Sequence, residues 1–125
     1  YEAQTGISVD FWQTGADHRF DQGQEIALYR ITQEALTNVA RHAETRCVHV
    51  ELIEEQYRII LRIRDKGLGF DMESPKYSGS GLSIMRERAL LENGLFSLYS
   101  APGGGTEVEV TIPLHEWEGV QGDSI

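Results

Sequence analysis

The chain has a single cysteine, few basic residues and no long apolar run. Among its 125 residues, 11 lysines and arginines stand against 20 aspartates and glutamates, which gives a formal charge of −9. This acidic balance argues against duplex DNA or RNA as the main partner, because phosphate backbones need a basic surface. Cys47 cannot form an internal disulfide and has no companion at metal-ligand spacing, so core packing is its expected role.

The sequence lacks the patterns of a membrane span and of a signal peptide, and this bears on the cellular compartment that we expect. No apolar stretch approaches the roughly 18 residues that a membrane span needs, and the N-terminus lacks a signal-peptide pattern. Together with the single cysteine, this predicts a cytoplasmic domain. The first residue is Tyr1 rather than methionine, so we expect a fragment of a longer protein whose other parts could be membrane-bound. The length and the 40% apolar content predict one domain, residues 1–115, followed by a flexible tail, residues 116–125.

Residues 21–43 predict one long helix with two different sides. Asp21 and Gln24 fit a capping box at its start. At about 100° per residue, one broad side carries small and apolar side chains and is predicted to be buried. These side chains belong to Leu28, Thr32, Ala35, Leu36, Val39 and Ala43.

Another edge of the same helix is polar. Within an arc of about 100° it carries a carboxylate, an amide, a guanidinium and an imidazole. They belong to Glu34, Asn38, Arg41 and His42. A solvated face is the ordinary explanation for any one of these residues. Together with the glycine-rich turns that follow, at residues 65–70 and 79–82, they indicate a site.

Alternating apolar and polar residues predict five strands. Residues 7–12 form the first. Residues 47–54 and 58–65 are joined by a short polar connection and predict a hairpin. Residues 95–100 and 106–114 are joined by a glycine-rich turn and predict a second hairpin.

The remaining segments predict a second helix and a long loop. Residues 81–93 carry apolar side chains at helical spacing, and Gly94 is a natural stop. Residues 67–80 form a loop of a length that is usually functional or mobile. The order of elements predicts an α+β fold, a two-layer sandwich in which helices pack on one face of a mixed, largely antiparallel sheet.

Three segments resemble, in order, the sequence boxes of a known ATP-binding domain. Residues 34–43 are similar to the N box of the domain that sensor histidine kinases share with type II topoisomerases, mismatch-repair ATPases and related chaperones. Residues 65–70 resemble its first glycine box and residues 79–82 its second. Residues 81–89 and 104–106 look most like histidine kinases of the nitrate-sensor type. The resemblance spans nearly the whole chain and implies the Bergerat-type ATP-binding fold.

The resemblance implies a catalytic and metal-binding role for the polar helix edge. Asn38 would coordinate a Mg²⁺ ion that bridges the phosphates of ATP. Glu34 would orient the attacking group or accept its proton. Arg41 and His42 would face the phosphate charge.

The resemblance also implies the remaining nucleotide contacts. Asp65 would accept a hydrogen bond from the amine of adenine, and Thr106 would support that side of the pocket. Gly67 and Gly69 would let the backbone approach the base. The second glycine box would close on the phosphates with backbone N–H groups at the start of the second helix. It comprises Gly79, Ser80, Gly81 and Leu82.

These features predict the catalytic and ATP-binding domain of a two-component sensor histidine kinase. No histidine with a following acidic residue precedes residue 21, so the phosphoacceptor is expected on a separate helical dimerisation domain of the same protein. A response regulator would then receive the phosphoryl group, and neither nucleic acid nor membrane contact is expected of this fragment. Two alternatives stay open, a stand-alone serine kinase of the anti-sigma-factor type and a non-catalytic nucleotide-binding module.

Overall fold

A computed structural model describes residues 7–15, 20–43, 45–73 and 81–114, without the side chains of His42 and Ala43. Within these ranges it contains five strands and two α-helices. The strands are β1 (Ser8–Gly15), β2 (Cys47–Glu54), β3 (Arg58–Asp65), β4 (Leu95–Ser100) and β5 (Thr106–Pro113). The helices are α1 (Gln22–Asn38), which continues into a π-helical turn (Val39–Ala43), and α2 (Leu82–Leu91). The predicted tail at 116–125 lies outside the described residues.

The strands form one mixed sheet in the order β1-β2-β3-β5-β4. β1 pairs with β2 in parallel, whereas the other three pairs are antiparallel. The two predicted hairpins and the predicted fold class are therefore confirmed. β1 reaches Gly15, beyond the predicted end at residue 12, because its backbone pairs with β2 along all 8 residues although most of its side chains are exposed.

The core lies between one face of the sheet and the two helices. Alternate side chains of the central strands point to this face, as the strand period of two requires. The buried side chains include Ile31, Ala35, Ile59, Leu61, Ile63, Met85, Ala89, Val108, Val110 and Ile112. The opposite face carries ion pairs in which Arg62 contacts Glu51 at 3.0 Å and Glu109 at 2.9 Å. None of the described helices is long and apolar enough to cross a membrane.

Three burial predictions were wrong in detail. Cys47 is exposed, because the inward positions of β2 are those of Val48 and Val50. In α1 the stripe is centred on Ile31, which is 0% exposed, whereas Thr32 is half-buried. Leu90, whose spacing fits the buried stripe of the second helix, is 60% exposed near the end of α2.

The predicted capping box at the start of α1 is confirmed. The Gln24 N–H donates to Asp21 Oδ1 at 2.7 Å, and the Asp21 N–H donates to Gln24 Oε1 at 3.1 Å. The Gln24 side chain is 1% exposed, and its Nε2 donates to the carbonyl oxygen of Pro113 at 3.1 Å. One buried amide therefore caps the helix and fixes its start to the end of β5.

We expect Gln24→Ala to lower the free energy of unfolding by about 1–2 kcal/mol, because it removes two hydrogen bonds of a buried side chain. Urea denaturation measures the effect. Gln33→Ala, at an exposed position of the same helix, is the matched control and should stay within about 0.5 kcal/mol of the wild type. Equal stability of the two variants would contradict the anchoring role.

Candidate functional site

The start and the length of α1 relate it to the end of the sheet that holds Asp65. Its start is fixed to Pro113, the last residue of β5. Its 17 residues span about 25 Å, and the 8 residues of β5 lead back over a similar length, about 26 Å, to Thr106. Thr106 pairs with Asp65, the last residue of β3. The start of α1 therefore lies at the far end of β5 from Thr106 and Asp65, and α1 is long enough to span the distance back to them.

Gly81 packs directly against the polar edge of α1. It precedes α2 in a left-handed conformation, with φ of 79°. A methyl group in place of its hydrogen would lie 2.5 Å from Glu34 Oε2 and 3.9 Å from Asn38 Nδ2. The structure thus brings together three predicted site residues, Glu34, Asn38 and Gly81. Only glycine satisfies both the positive φ and the close approach.

The side chains of Glu34 and Asn38 are half-buried. Within the described residues, neither the Glu34 carboxylate nor the Asn38 amide makes a side-chain hydrogen bond. Both groups are therefore open to a ligand or to solvent. The carboxylate and amide oxygens are suited to a hard cation that also binds phosphate oxygens. This part of the chain therefore fits a magnesium-bound polyphosphate.

Asp65 lies half-buried at the end of β3, on the face of the sheet that the helices cover. Its Oδ1 accepts a hydrogen bond from the Gly67 N–H at 2.8 Å. Burial raises the pKa of Asp65, and the backbone N–H groups of Gly67 and Thr106 lower this pKa in part. The Asp65 carboxylate is therefore partly shielded from solvent and still has lone pairs that can accept a hydrogen bond. The amine of a nucleobase is a suitable donor.

Gly69 and Gly105 hold the loop after Asp65 against the β4–β5 turn. Both have a positive φ, of 63° and 74°. A methyl group would lie 2.1 Å from the Ala101 oxygen at Gly69, and 2.1 Å from the Asp65 oxygen at Gly105. The resemblance implies that Gly69 lets the backbone approach the base. The structure gives a second reason for glycine at this position, because residue 69 packs directly against the backbone of Ala101.

The other predicted site residues differ in exposure, and some of them lie outside the described part of the structure. Arg41 is exposed on the π-helical turn, and Leu82 is half-buried against the core. The backbone of His42 belongs to the same turn, but its side chain is outside the described part of the structure. Gly79 and Ser80 also lie outside the described residues. Their proposed contacts with phosphate remain predictions.

The sequence analysis missed Ser100, which is 5% exposed. Its Oγ lies 2.9 Å from the Phe70 amide nitrogen, 2.9 Å from the Gly105 oxygen and 2.8 Å from Thr106 Oγ1. A serine at the end of an alternating strand, next to a Pro-Gly turn, looks like an ordinary surface residue. Only the pairing of Ser100 with Thr106, which in turn pairs with Asp65, reveals its position.

A hollow of about 700 Å³ opens on the uncovered face at the same end of the sheet. It shares Asp65 and Thr106 with the arrangement above but includes neither Glu34 nor Asn38. One wall contains His49, whose Nδ1 lies 3.1 Å from Asp10 Oδ2. Among the described site residues predicted above, the hollow therefore includes Asp65 and Thr106 but not the polar edge of α1.

Comparison with known sequences agrees with the family resemblance noted in the sequence. Residues 23–116 match the family described as histidine kinase-, DNA gyrase B-, and HSP90-like ATPase. The histidine-protein kinase/phosphatase DegS of Brevibacillus brevis is 39% identical over 114 residues, which are 91% of this chain and 30% of that protein. The sensor protein VraS of Staphylococcus epidermidis is 41% identical over 107 residues, 86% of this chain and 31% of that protein. The chain thus spans less than a third of the length of these relatives.

Solved structures support the fold. The Acinetobacter baumannii histidine kinase AdeS matches with a TM-score of 0.72 at 16% identity, over 90% of this chain and 57% of that chain. The histidine kinase domain from the Erythrobacter litoralis EL346 blue-light activated histidine kinase matches with a TM-score of 0.69 at 19% identity, over 92% of this chain and 56% of that chain. At these identities the likeness concerns the fold alone. From the sequence matches, the chain belongs to the histidine kinase-, DNA gyrase B- and HSP90-like ATPase family, and its ATPase domain is of the histidine kinase type.

Proposed function

We propose that this domain binds MgATP and donates the γ-phosphoryl group to a histidine on a separate helical dimerisation domain of the same sensor kinase. An aspartate of a response regulator would then receive the group, on the cytoplasmic side of the membrane if the whole protein is membrane-bound. The observation that carries the proposal is the contact of Gly81 with Glu34, beside Asn38. It joins the second glycine box to the polar edge of α1.

The phosphate side of the proposed site uses the end of α1 and the start of α2. Magnesium supplies charge neutralisation of the phosphates when bound. The Asn38 side-chain oxygen would hold the ion, and Arg41 and His42 would face the phosphate charge. Backbone N–H groups around Gly79, Ser80, Gly81 and Leu82 would point at the same anion.

Glu34 would act on the phosphoryl acceptor. A carboxylate within hydrogen-bond distance can orient an imidazole N–H and accept its proton as the opposite nitrogen bonds to the γ-phosphorus and ADP leaves. The Glu34 carboxylate lies beside Gly81, at the start of α2. The proposal therefore assigns it proton handling and orientation.

The base side of the proposed site uses the ends of β3 and β5. Asp65 would accept a hydrogen bond from the exocyclic amine of adenine. Gly67, which donates its N–H to Asp65 Oδ1, keeps that carboxylate in one orientation. Gly69 and Thr106 would line the same side. Guanine has a carbonyl where adenine has the amine, so an acceptor at Asp65 would disfavour it.

Calorimetry with ATP and GTP in the presence of Mg²⁺ tests the nucleotide part of the proposal. We expect saturable binding of ATP and much weaker binding of GTP. The phosphoryl-transfer part is tested by adding a dimerisation domain that carries the acceptor histidine, because the domain alone should label itself poorly. Absence of Mg²⁺-dependent adenine-nucleotide binding would overturn the proposal.

We expect Asn38→Ala to reduce the effect of Mg²⁺ on ATP affinity, because the variant removes a proposed metal ligand and leaves the base side intact. The measurement is the ratio of the ATP dissociation constants with EDTA and with Mg²⁺, in the wild type and the variant. Gln33→Ala, exposed on the same helix, should retain the wild-type ratio. Equal losses of affinity under both conditions would remove Asn38 from the metal site.

We expect Asp65 to lose its contribution to ATP affinity as the pH falls, and at a higher pH than an exposed aspartate would, because burial raises the pKa of Asp65. Below that pKa the carboxyl is protonated and no longer accepts from the amine, so this contribution is present above the pKa and lost as pH falls through it. The measurement is the affinity ratio of wild type to Asp65→Asn from neutral pH down to the lowest pH at which both proteins stay folded, since phosphate titration cancels in the ratio. The ratio should move toward one at low pH, and a constant ratio would contradict the assignment.

A further inference from the structure

The hydroxyl of Ser100 has three partners that together fix the direction of each hydrogen bond. A serine hydroxyl offers one proton and two lone pairs. The Phe70 N–H can only donate to Ser100 Oγ, and the buried carbonyl oxygen of Gly105 can only accept from it. The proton of Ser100 is therefore committed to Gly105. Thr106 Oγ1, at 2.8 Å, must then donate its own proton to the second lone pair of Ser100.

This arrangement determines what Thr106 can offer a ligand. Because the Thr106 hydroxyl proton is engaged in the hydrogen bond to Ser100, the hydroxyl can offer a ligand only its lone pairs. Thr106 pairs in register with Asp65, whose carboxylate is also an acceptor. The ends of the two strands therefore present acceptors side by side, with Ser100 behind them on β4 and away from solvent.

We infer that Ser100 is a positioning residue for base specificity. By accepting the hydrogen bond of Thr106, it leaves only acceptor lone pairs on the Thr106 and Asp65 side chains, which favours a base with an exocyclic amine and disfavours one with a carbonyl at the same position. The inference rests on the proposed function, because it assumes that the base binds beside Asp65.

Ser100 also connects this pair to the loop of the first glycine box. Its bond from the Phe70 N–H acts together with the 2.6 Å bond from the Gly103 N–H to the Leu68 carbonyl oxygen. Loss of the Ser100 hydroxyl would free the Thr106 proton and release the Phe70 N–H at the same time. These are two separate consequences that can be measured independently.

The first test compares ATP with ITP, whose base has a carbonyl in place of the amine. We expect Ser100→Ala to reduce the ratio of ATP to ITP affinity by about three- to tenfold, as for the loss of one directed hydrogen bond. Ser100→Thr, which keeps a hydroxyl, should restore the ratio. Ser97→Ala, at an exposed serine of the same strand, should match the wild type.

The second test uses the nucleotide-free protein. Amide hydrogen exchange of Phe70, followed by NMR, should be faster in Ser100→Ala than in the wild type, in Ser100→Thr or in Ser97→Ala. Unchanged protection of Phe70 would overturn the hydrogen-bond network. This readout does not depend on bound nucleotide.

The outcomes separate the two proposals. A wild type that binds neither nucleotide would overturn the proposed function and the specificity role with it. A wild type that prefers ATP, with the same preference in Ser100→Ala, would overturn the role of Ser100 alone. Equal weakening of ATP and ITP in Ser100→Ala would also overturn it, because a purely structural defect has no preference between bases.

Discussion

Asp65→Asn is expected to weaken ATP binding by about 1–3 kcal/mol, or about 5- to 150-fold. The carboxylate can accept from the Gly67 N–H and from a base amine at once. An asparagine can still accept through its oxygen, but it directs an NH₂ group toward the other partner. Two donors would then face each other in a half-buried site, which is costly because neither finds water.

Calorimetry with ATP measures this loss, and Asp71→Asn is its matched control. Asp71 is an exposed aspartate of the same loop and accepts from the Glu73 N–H at 3.0 Å. Its variant should retain wild-type affinity. Thermal unfolding should show that Asp65→Asn is at least as stable as the wild type at neutral pH, because the raised pKa of Asp65 means that its charged form is disfavoured by burial. An unchanged dissociation constant would exclude Asp65 from the site.

Gly81→Ala is expected to reduce phosphoryl transfer to an added acceptor domain by about 10²-fold or more, with a much smaller effect on ATP affinity. The new methyl group would lie 2.5 Å from Glu34 Oε2, so the carboxylate has to move. A displaced general base loses most of a contribution that is typically 10²- to 10⁴-fold. The adenine contact depends on Asp65, which Gly81 does not contact, and the variant keeps the backbone N–H of residue 81, so ATP affinity should change much less than transfer.

Gly103→Ala is the control that separates the effect of the contact between residue 81 and Glu34 from the effect of backbone strain. Gly103 has nearly the same conformation, with φ of 78°, but a methyl group there would meet nothing within 4 Å. Both variants carry a similar cost for a positive φ, about 1 kcal/mol. Single-turnover transfer should therefore be near normal in Gly103→Ala and strongly reduced in Gly81→Ala. Equal rates in the two variants would show that the contact with Glu34 is unimportant.

Regular local patterns made much of the fold predictable. The bounds of β2, β3 and β4 agree with the predictions because strict alternation marks strands that have one buried face. The capping box was predictable because its two residues are three positions apart in the chain. Cys47 was wrongly predicted to be buried because cysteine is usually a buried residue. The alternation of β2, in which Val48 and Val50 are buried, makes Cys47 an outward position.

The candidate site was predictable only as a set of residues. The resemblance named Glu34, Asn38 and Asp65 from ordered boxes, and their roles stay predictions. It gave no reason to expect that Gly81 would contact Glu34. That contact depends on how α2 packs beside α1, which is a consequence of burying Met85 and Ala89 against the sheet.

The sequence by itself determined which segments are helix or strand, where α1 begins, and which chemical groups are available to a nucleotide, because period and spacing are local properties of the chain. Only the tertiary structure decided that β5 inserts between β3 and β4. This pairing aligns Ser100, Thr106 and Asp65 across three strands. The physical reason is that strand order results from burying one common apolar face, so residues distant in the chain become neighbours that no local pattern can reveal.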